Sequence, residues 1–145
     1  MSLHLIKLCV GADSIEDLEE WIEFRLREKR LAGEKEEQFH TTRMLPKRAG
    51  ELTAGGSLYW VIKGKVQCRQ RLLEIRPFID TQGVSRCHLV LEPAVVATDW
   101  QPRRAFQGWR YLKTEEAPAD LSSRSQGWQA LPPELRGELA DLGLL

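Results

Sequence analysis

No stretch of this 145-residue sequence is apolar for the roughly 20 residues that a membrane-spanning helix needs. The leading apolar run, Leu3-His4-Leu5-Ile6-Lys7-Leu8-Cys9-Val10, is broken by His4 and Lys7. It also lacks the basic region, uninterrupted apolar stretch and small-residue cleavage site of a secretory signal, so a cytoplasmic protein with no membrane partner is expected. Cysteine is scarce. Cys9, Cys68 and Cys87 are odd in number, have no CxxC spacing and lie in apolar, strand-like segments, which fits reduced core thiols. GxSxG, HExxH, DxD and glycine-rich phosphate-loop patterns are all missing, so the common motif-bearing enzyme classes gain no support and no catalytic residue is nominated. Cys87-His88 with Cys68, His4, Cys9 or His40 assembles a metal site only on paper. Neighbours on a strand point to opposite faces, so no metal and no cofactor are expected.

Net charge is also lacking, with 21 basic and 21 acidic side chains, but the zero is a sum of unlike parts. Residues 1–39 carry 6 Lys+Arg against 10 Asp+Glu, and residues 114–145 carry 2 against 6. Residues 40–113 carry 13 against 5, so a basic middle of net charge +8 lies between two acidic ends. Hydrophobic residues at 42% and charged residues at 29% are ordinary for a globular chain, and the length suits one domain spanning residues 1–145.

Periodicity supplies the elements. Residues 3–9 read as a buried strand ended by Gly11. Asp13 and Ser14 are N-cap candidates for an amphipathic helix over 14–30, with Ile15, Leu18, Trp21 or Ile22, and Leu26 on its inner face. Residues 39–57, with Pro46, Gly50, Gly55 and Gly56, read as largely irregular. Ser57–Gly64 and Lys65–Phe78 are two strands or one bent at Gly64, and Asp80-Thr81-Gln82-Gly83 is a hairpin turn returning through Val84–Leu91. Pro93, Pro102 and Gly108 break up the chain beyond Leu91, apart from an edge strand at Trp109–Leu112. Pro132-Pro133-Glu134-Leu135 opens a short terminal helix. The class expected is α+β, an antiparallel or partly closed β-sheet flanked by an N-terminal amphipathic helix and a short C-terminal helix.

Two basic constellations stand out. With period two, Lys63, Lys65, Gln67, Arg69 and Arg71 share one strand face, with no acid between Lys63 and Arg71. Cations about 6.6 Å apart along a strand approach the repeat of a nucleic-acid backbone. The plain alternative is the solvated face of an antiparallel sheet. The second group, Arg103-Arg104-Ala105-Phe106-Gln107-Gly108-Trp109-Arg110-Tyr111, interleaves cations with rings, as suits the phosphates and bases of single-stranded nucleic acid. Here the alternative is that Phe106, Trp109 and Tyr111 pin an irregular segment to the core. Arg43, Lys47 and Arg48 form a looser third group.

The strings LHLIKLCVG (3–11), GGSLYWVIKG (55–64), RCHLVLEP (86–93) and RRAFQGWRYL (103–112) resemble an alphaproteobacterial family of about this length that is catalogued only as a domain of unknown function. The resemblance covers nearly the whole chain and implies no catalytic residue. A weaker similarity is to PUA-like domains, including ASCH domains, small RNA-associated β-barrels. Gly64, Lys65 and Arg69 resemble part of the ASCH glycine-lysine-arginine signature at a different spacing.

The expected function is a non-enzymatic RNA or single-stranded nucleic-acid binding module. Lys63, Lys65, Arg69, Arg71, Arg103, Arg104 and Arg110 would hold phosphates, and Trp109 and Tyr111 would stack bases. The competing readings are a small enzyme on an anionic metabolite or nucleotide, clamped by Arg103, Arg104 and Arg110, and an interaction adaptor whose acidic ends cover its basic middle.

Overall fold

Alternating and continuous apolar runs become the central strands of one mixed sheet. The structure is a computed structural model, and it describes residues 2–121. β1 (Leu3–Leu8) runs parallel to β3 (Ser57–Ile62), with Leu5 opposite Leu58 and Lys7 opposite Trp60. Between them come α1 (Ile15–Leu31), β2 (Gln38–Thr42) and the short α2 (Ala49–Thr53). A parallel pair requires such a crossover.

The hydroxyl of Ser14 caps α1 by accepting the Asp17 N–H at 3.1 Å, and the Asp17 carboxylate accepts the Asp13 N–H at 3.0 Å. The first bond satisfies an amide that the opening helical turn leaves without a partner, and the second ties the residue before the cap to that turn. Leu18 and Ile22 are the buried residues of the helix, one turn apart on its inner side.

β4 (Lys65–Ile79) is the longest strand, pairing with β3 through its first half and, along its other edge, first with β6 (Val96–Pro102) and then with β5 (Ser85–Leu91). β2 lies outside β5, and β7 (Trp109–Lys113) lies antiparallel outside β1. The order is β2-β5-β4-β3-β1-β7, with β6 off this path on β4.

One face of the sheet packs Leu5, Leu58, Trp60, Leu72, Leu89 and Trp109 against Leu18 and Ile22 of α1 and Leu52 of α2. A second cluster contains Ile6, Tyr59, Val61, Val66 and Leu112, joined by Phe106 and Ala117. Gly56 fits only because it lacks a side chain. A Cβ there would stand 2.1 Å from the Leu3 carbonyl oxygen and 2.4 Å from that of Leu52.

The α+β class holds, as do α1, the β3–β4 pair and the Asp80–Gly83 hairpin, in which the Asp80 carboxylate accepts the N–H groups of Gln82 and Val84. Three expectations need correction. The sheet is mixed, because the crossover through α1, β2 and α2 lays β3 parallel to β1, and it does not close into a barrel among the described residues, because β2 and β7 at its two ends do not pair. Residues 39–57 contain β2 and α2 rather than irregular chain alone, and β6 occupies the stretch between Pro93 and Pro102. The helix expected from Pro132 lies outside the described residues. No described helix is long and apolar enough to cross a membrane.

Candidate nucleic-acid interface

The β3–β4 turn is the centre of the basic surface. Lys63 (φ 50°) and Gly64 (φ 78°) both adopt positive φ, the pattern of a two-residue turn matched to strand twist. Gly64 takes that conformation without strain, whereas for lysine it is unfavourable. The Arg103 N–H donates to the Gly64 carbonyl at 2.9 Å, and Lys65 pairs with Pro102. Two basic segments distant in sequence therefore meet at one end of the sheet, bringing Lys63 and Lys65 beside Arg103 and Arg104. Neither 61–67 nor 100–113 contains an acid.

Arg103 donates through Nε and Nη2 to Gln101 Oε1 at 3.0 and 2.8 Å, which orients the guanidinium without neutralising it. Arg104 and Arg110 are exposed. Arg110 lies 4.7 Å over the Phe106 ring, which packs against the second core cluster and holds that cation in place.

The expected row from Lys63 to Arg71 does not form. A register shift puts Trp60 opposite Cys68 but Val61 opposite Val66, leaving Gln67 as an extra residue whose side chain donates to the Ile62 carbonyl at 2.9 Å. A one-residue bulge reverses the faces of everything beyond it. Lys65 consequently pairs with Ile62 of the main core face, while Arg69 and Arg71 pair with Tyr59 and Ser57 of the other. Arg69 is also engaged by Asp120, to which it donates at 2.8 and 2.7 Å, and by Ser57 Oγ at 2.9 Å. Its guanidinium holds the Asp120 carboxyl below the usual range. Arg71 is exposed and apart from the basic end.

Trp109 is not a stacking platform. It is 7% exposed and belongs to the main core, and its indole donates to the Met44 carbonyl at 2.7 Å. Gly108 does turn the chain (φ 69°), yet Trp109 still pairs with Lys7 on the main core face while Arg110 pairs with Ile6 of the second cluster. Tyr111 is half-buried edge-on to Trp109, and its hydroxyl accepts the Arg48 N–H at 3.2 Å.

A feature that sequence reading missed lies at the same end. At the carboxyl end of β1, a pocket of about 220 Å³ is bounded by Lys7, Cys9, Asp17, Trp21, His40 and Trp60. The Cys9 N–H donates to the Val61 carbonyl at 2.9 Å, which ties the lining residue Cys9 to β3 two residues before Lys63. The His40 ring stands edge-on to Trp60, 5.4 Å between centroids. Burial, helped by Lys7 and Arg25, pulls the His40 pKa down to about 4, so the imidazole is neutral at pH 7. Burial also lowers Lys7 and pushes the Cys9 thiol up to about 11. The only sequence signal was Lys7 itself, a cation interrupting an apolar strand.

Among the described residues no group of His, Cys, Asp and Glu gathers as a metal site. The whole is an open, mixed α+β sheet whose basic end adjoins a small aromatic pocket. The chain belongs to the family described as Protein of unknown function (DUF1489), whose sequence model matches residues 5–145. No match is found among curated proteins or among solved structures.

Proposed function

We propose that this chain is a non-enzymatic binding module for RNA or other single-stranded nucleic acid, working in the cytoplasm. The observation that carries the reading is the Arg103 N–H to Gly64 carbonyl bond, which gathers two acid-free basic segments into one end of the molecule. Lys63, Lys65, Arg103, Arg104 and Arg110 hold phosphates there. Arg69, Arg71, Trp109 and Tyr111 drop out of the contact set, since the first is held by Asp120, the second lies away from that end, and the two rings serve the core. Lysine at a positive-φ turn position, where asparagine or glycine fits better, supports the same reading, because strain kept at an exposed charge points to a use for that charge. The likeness of Gly64 and Lys65 to the RNA-associated ASCH signature agrees at the level of residues, although the open sheet departs from a PUA-like barrel.

The test is a salt titration of full-length protein binding to mixed-sequence RNA oligomers. Affinity should fall steeply as salt rises, with a logarithmic slope of about −0.7 per phosphate contacted. No binding at low salt, or binding insensitive to salt, overturns the proposal.

A further inference from the structure

We infer that the pocket beside Lys7 receives one base of the nucleic-acid strand held at the basic end, and that it prefers uracil or guanine. The inference rests on the nucleic-acid function proposed for the basic end and adds a specificity to it. A cavity of about 150 Å³ is enough to admit benzene. At about 220 Å³ this pocket holds one flat heteroaromatic ring.

Its walls suit such a ring. Trp60 is fixed, because its indole Nε1 donates at 2.9 Å to Oε1 of the buried Gln70, whose Nε2 in turn donates to Gln38 Oε1 at 2.6 Å and to the Glu92 carbonyl at 2.9 Å. Trp21 forms the outer wall, 44% exposed, with the Arg25 guanidinium 4.1 Å over its ring. Trp60, 3% exposed and part of the main core, closes the pocket's inner end as a fixed apolar wall, and the solvent-facing Trp21 is the ring on which an extruded base can stack with little rearrangement.

The polar groups set the preference. Lys7 Nζ is a donor only, and neutral His40 offers one donor and one acceptor. Asp17 accepts the Asp13 amide through Oδ2 at 3.0 Å, so Lys7 is the one cation among the polar groups at the pocket and carries the preference. Uracil and guanine carry carbonyl oxygens where cytosine and adenine carry amino groups. A half-buried ammonium therefore gains a bond from the first pair and faces a competing donor in the second. Position agrees as well, since the pocket lies at the same end of the sheet as the β3–β4 turn that carries Lys63. The pocket occupies the carboxyl end of β1, and the Cys9–Val61 bond ties it to the strand that leads into Lys63.

The experiment compares short oligouridylate, oligoadenylate and oligocytidylate binding to the full chain, followed by anisotropy and by tryptophan fluorescence. Three proteins are used: wild type, Lys7→Met, which keeps the aliphatic stem, and Trp21→Ala, which removes a largely exposed ring. Thermal melts confirm that each variant is folded. Oligouridylate should bind wild type about tenfold more tightly than the other two, a difference within the reach of one stacked and hydrogen-bonded base. Lys7→Met should level the three affinities, and Trp21→Ala should weaken all three while leaving the slope against salt unchanged. Salt-sensitive binding with no base preference, untouched by either substitution, overturns the pocket and leaves the nucleic-acid reading standing. Absence of binding by every oligomer at low salt overturns the nucleic-acid reading itself.

Discussion

The indole Nε1 of Trp109 donates to the Met44 carbonyl oxygen at 2.7 Å, and that bond joins opposite ends of the strand order. Trp109 begins β7 at one edge, and Met44 follows β2 at the other. The sheet must therefore curl until its edges approach, even though they do not pair. Met44 O also accepts from Thr42 Oγ1 at 3.2 Å, so the carbonyl is a junction for the loop after β2. Trp109→Ala should lower stability by about 3–5 kcal/mol and the melting temperature by several degrees. Affinity of the folded fraction for RNA should not change, and calorimetry with anisotropy on one variant reads both. An affinity loss without a stability loss would return Trp109 to the binding surface.

Lys63 gives the reverse signature. Lys63→Asn keeps the turn and suits its positive φ better, so stability should rise by about 1 kcal/mol. RNA affinity should fall, and the salt slope should become shallower by about 0.7 if one phosphate contact is removed. Denaturant unfolding and a salt titration check the two halves. Unchanged affinity would remove Lys63 from the interface.

Gly56 allows no side chain. Gly56→Ala places a methyl against two backbone oxygens, neither on a flexible end, where β1, α2 and β3 converge. The expected loss is about 3 kcal/mol or more, at the upper end of overpacking. A melting temperature within a degree of wild type would contradict the packing described.

Acid should weaken the fold in a defined window. Below its ordinary value of 6.5 His40 takes up a proton readily in the unfolded chain, but in the fold only near pH 4. Stability is thus lost as pH falls from about 6.5 towards 4, by no more than about 1.4 kcal/mol per pH unit. His4, lowered by burial and by Arg69, adds to the same trend. The depressed Asp120 acts at lower pH, where protonation ends its pairing with Arg69. His40→Gln should flatten the upper part of the profile measured by chemical denaturation. An equally steep profile in the variant would assign the dependence elsewhere.

Legibility followed locality. α1 was readable from Ser14, Asp17 and the Leu18–Ile22 spacing, and the β4–β5 hairpin from Asp80 and Gly83, because cap and turn are local chemistry. β2 was not, since Gln38-Phe39-His40-Thr41-Thr42 is short and has one strongly apolar side chain. β6 was obscured by Pro102, which is tolerated at the end of a strand bonded along one edge. The parallel β1–β3 pair and the bulge at Gln67 depend on partner strands, so no window of sequence contains them. At the site, the basic character of 63–65 and 103–110 was legible and their meeting was not. The interleaving of rings and arginines leaves Trp109 either a stacking ring or a core anchor, which only its pairing partner and its bond to Met44 decide, and Lys7 and His40, brought together from β1 and β2, were not singled out for a ligand pocket.

The most direct measurement compares RNA affinity across a range of salt for wild type, a Lys63→Asn/Arg103→Gln/Arg104→Gln variant and an Arg71→Gln control. Arg71 is exposed, as are Lys63 and Arg104, but lies away from the basic end. The triple variant should lose affinity at low salt, with a slope shallower by about 2, while Arg71→Gln should stay within a factor of about two of wild type, as expected of an uninvolved surface charge. Equal losses in the two variants, or none in the triple, would contradict a binding surface built where Arg103 meets Gly64.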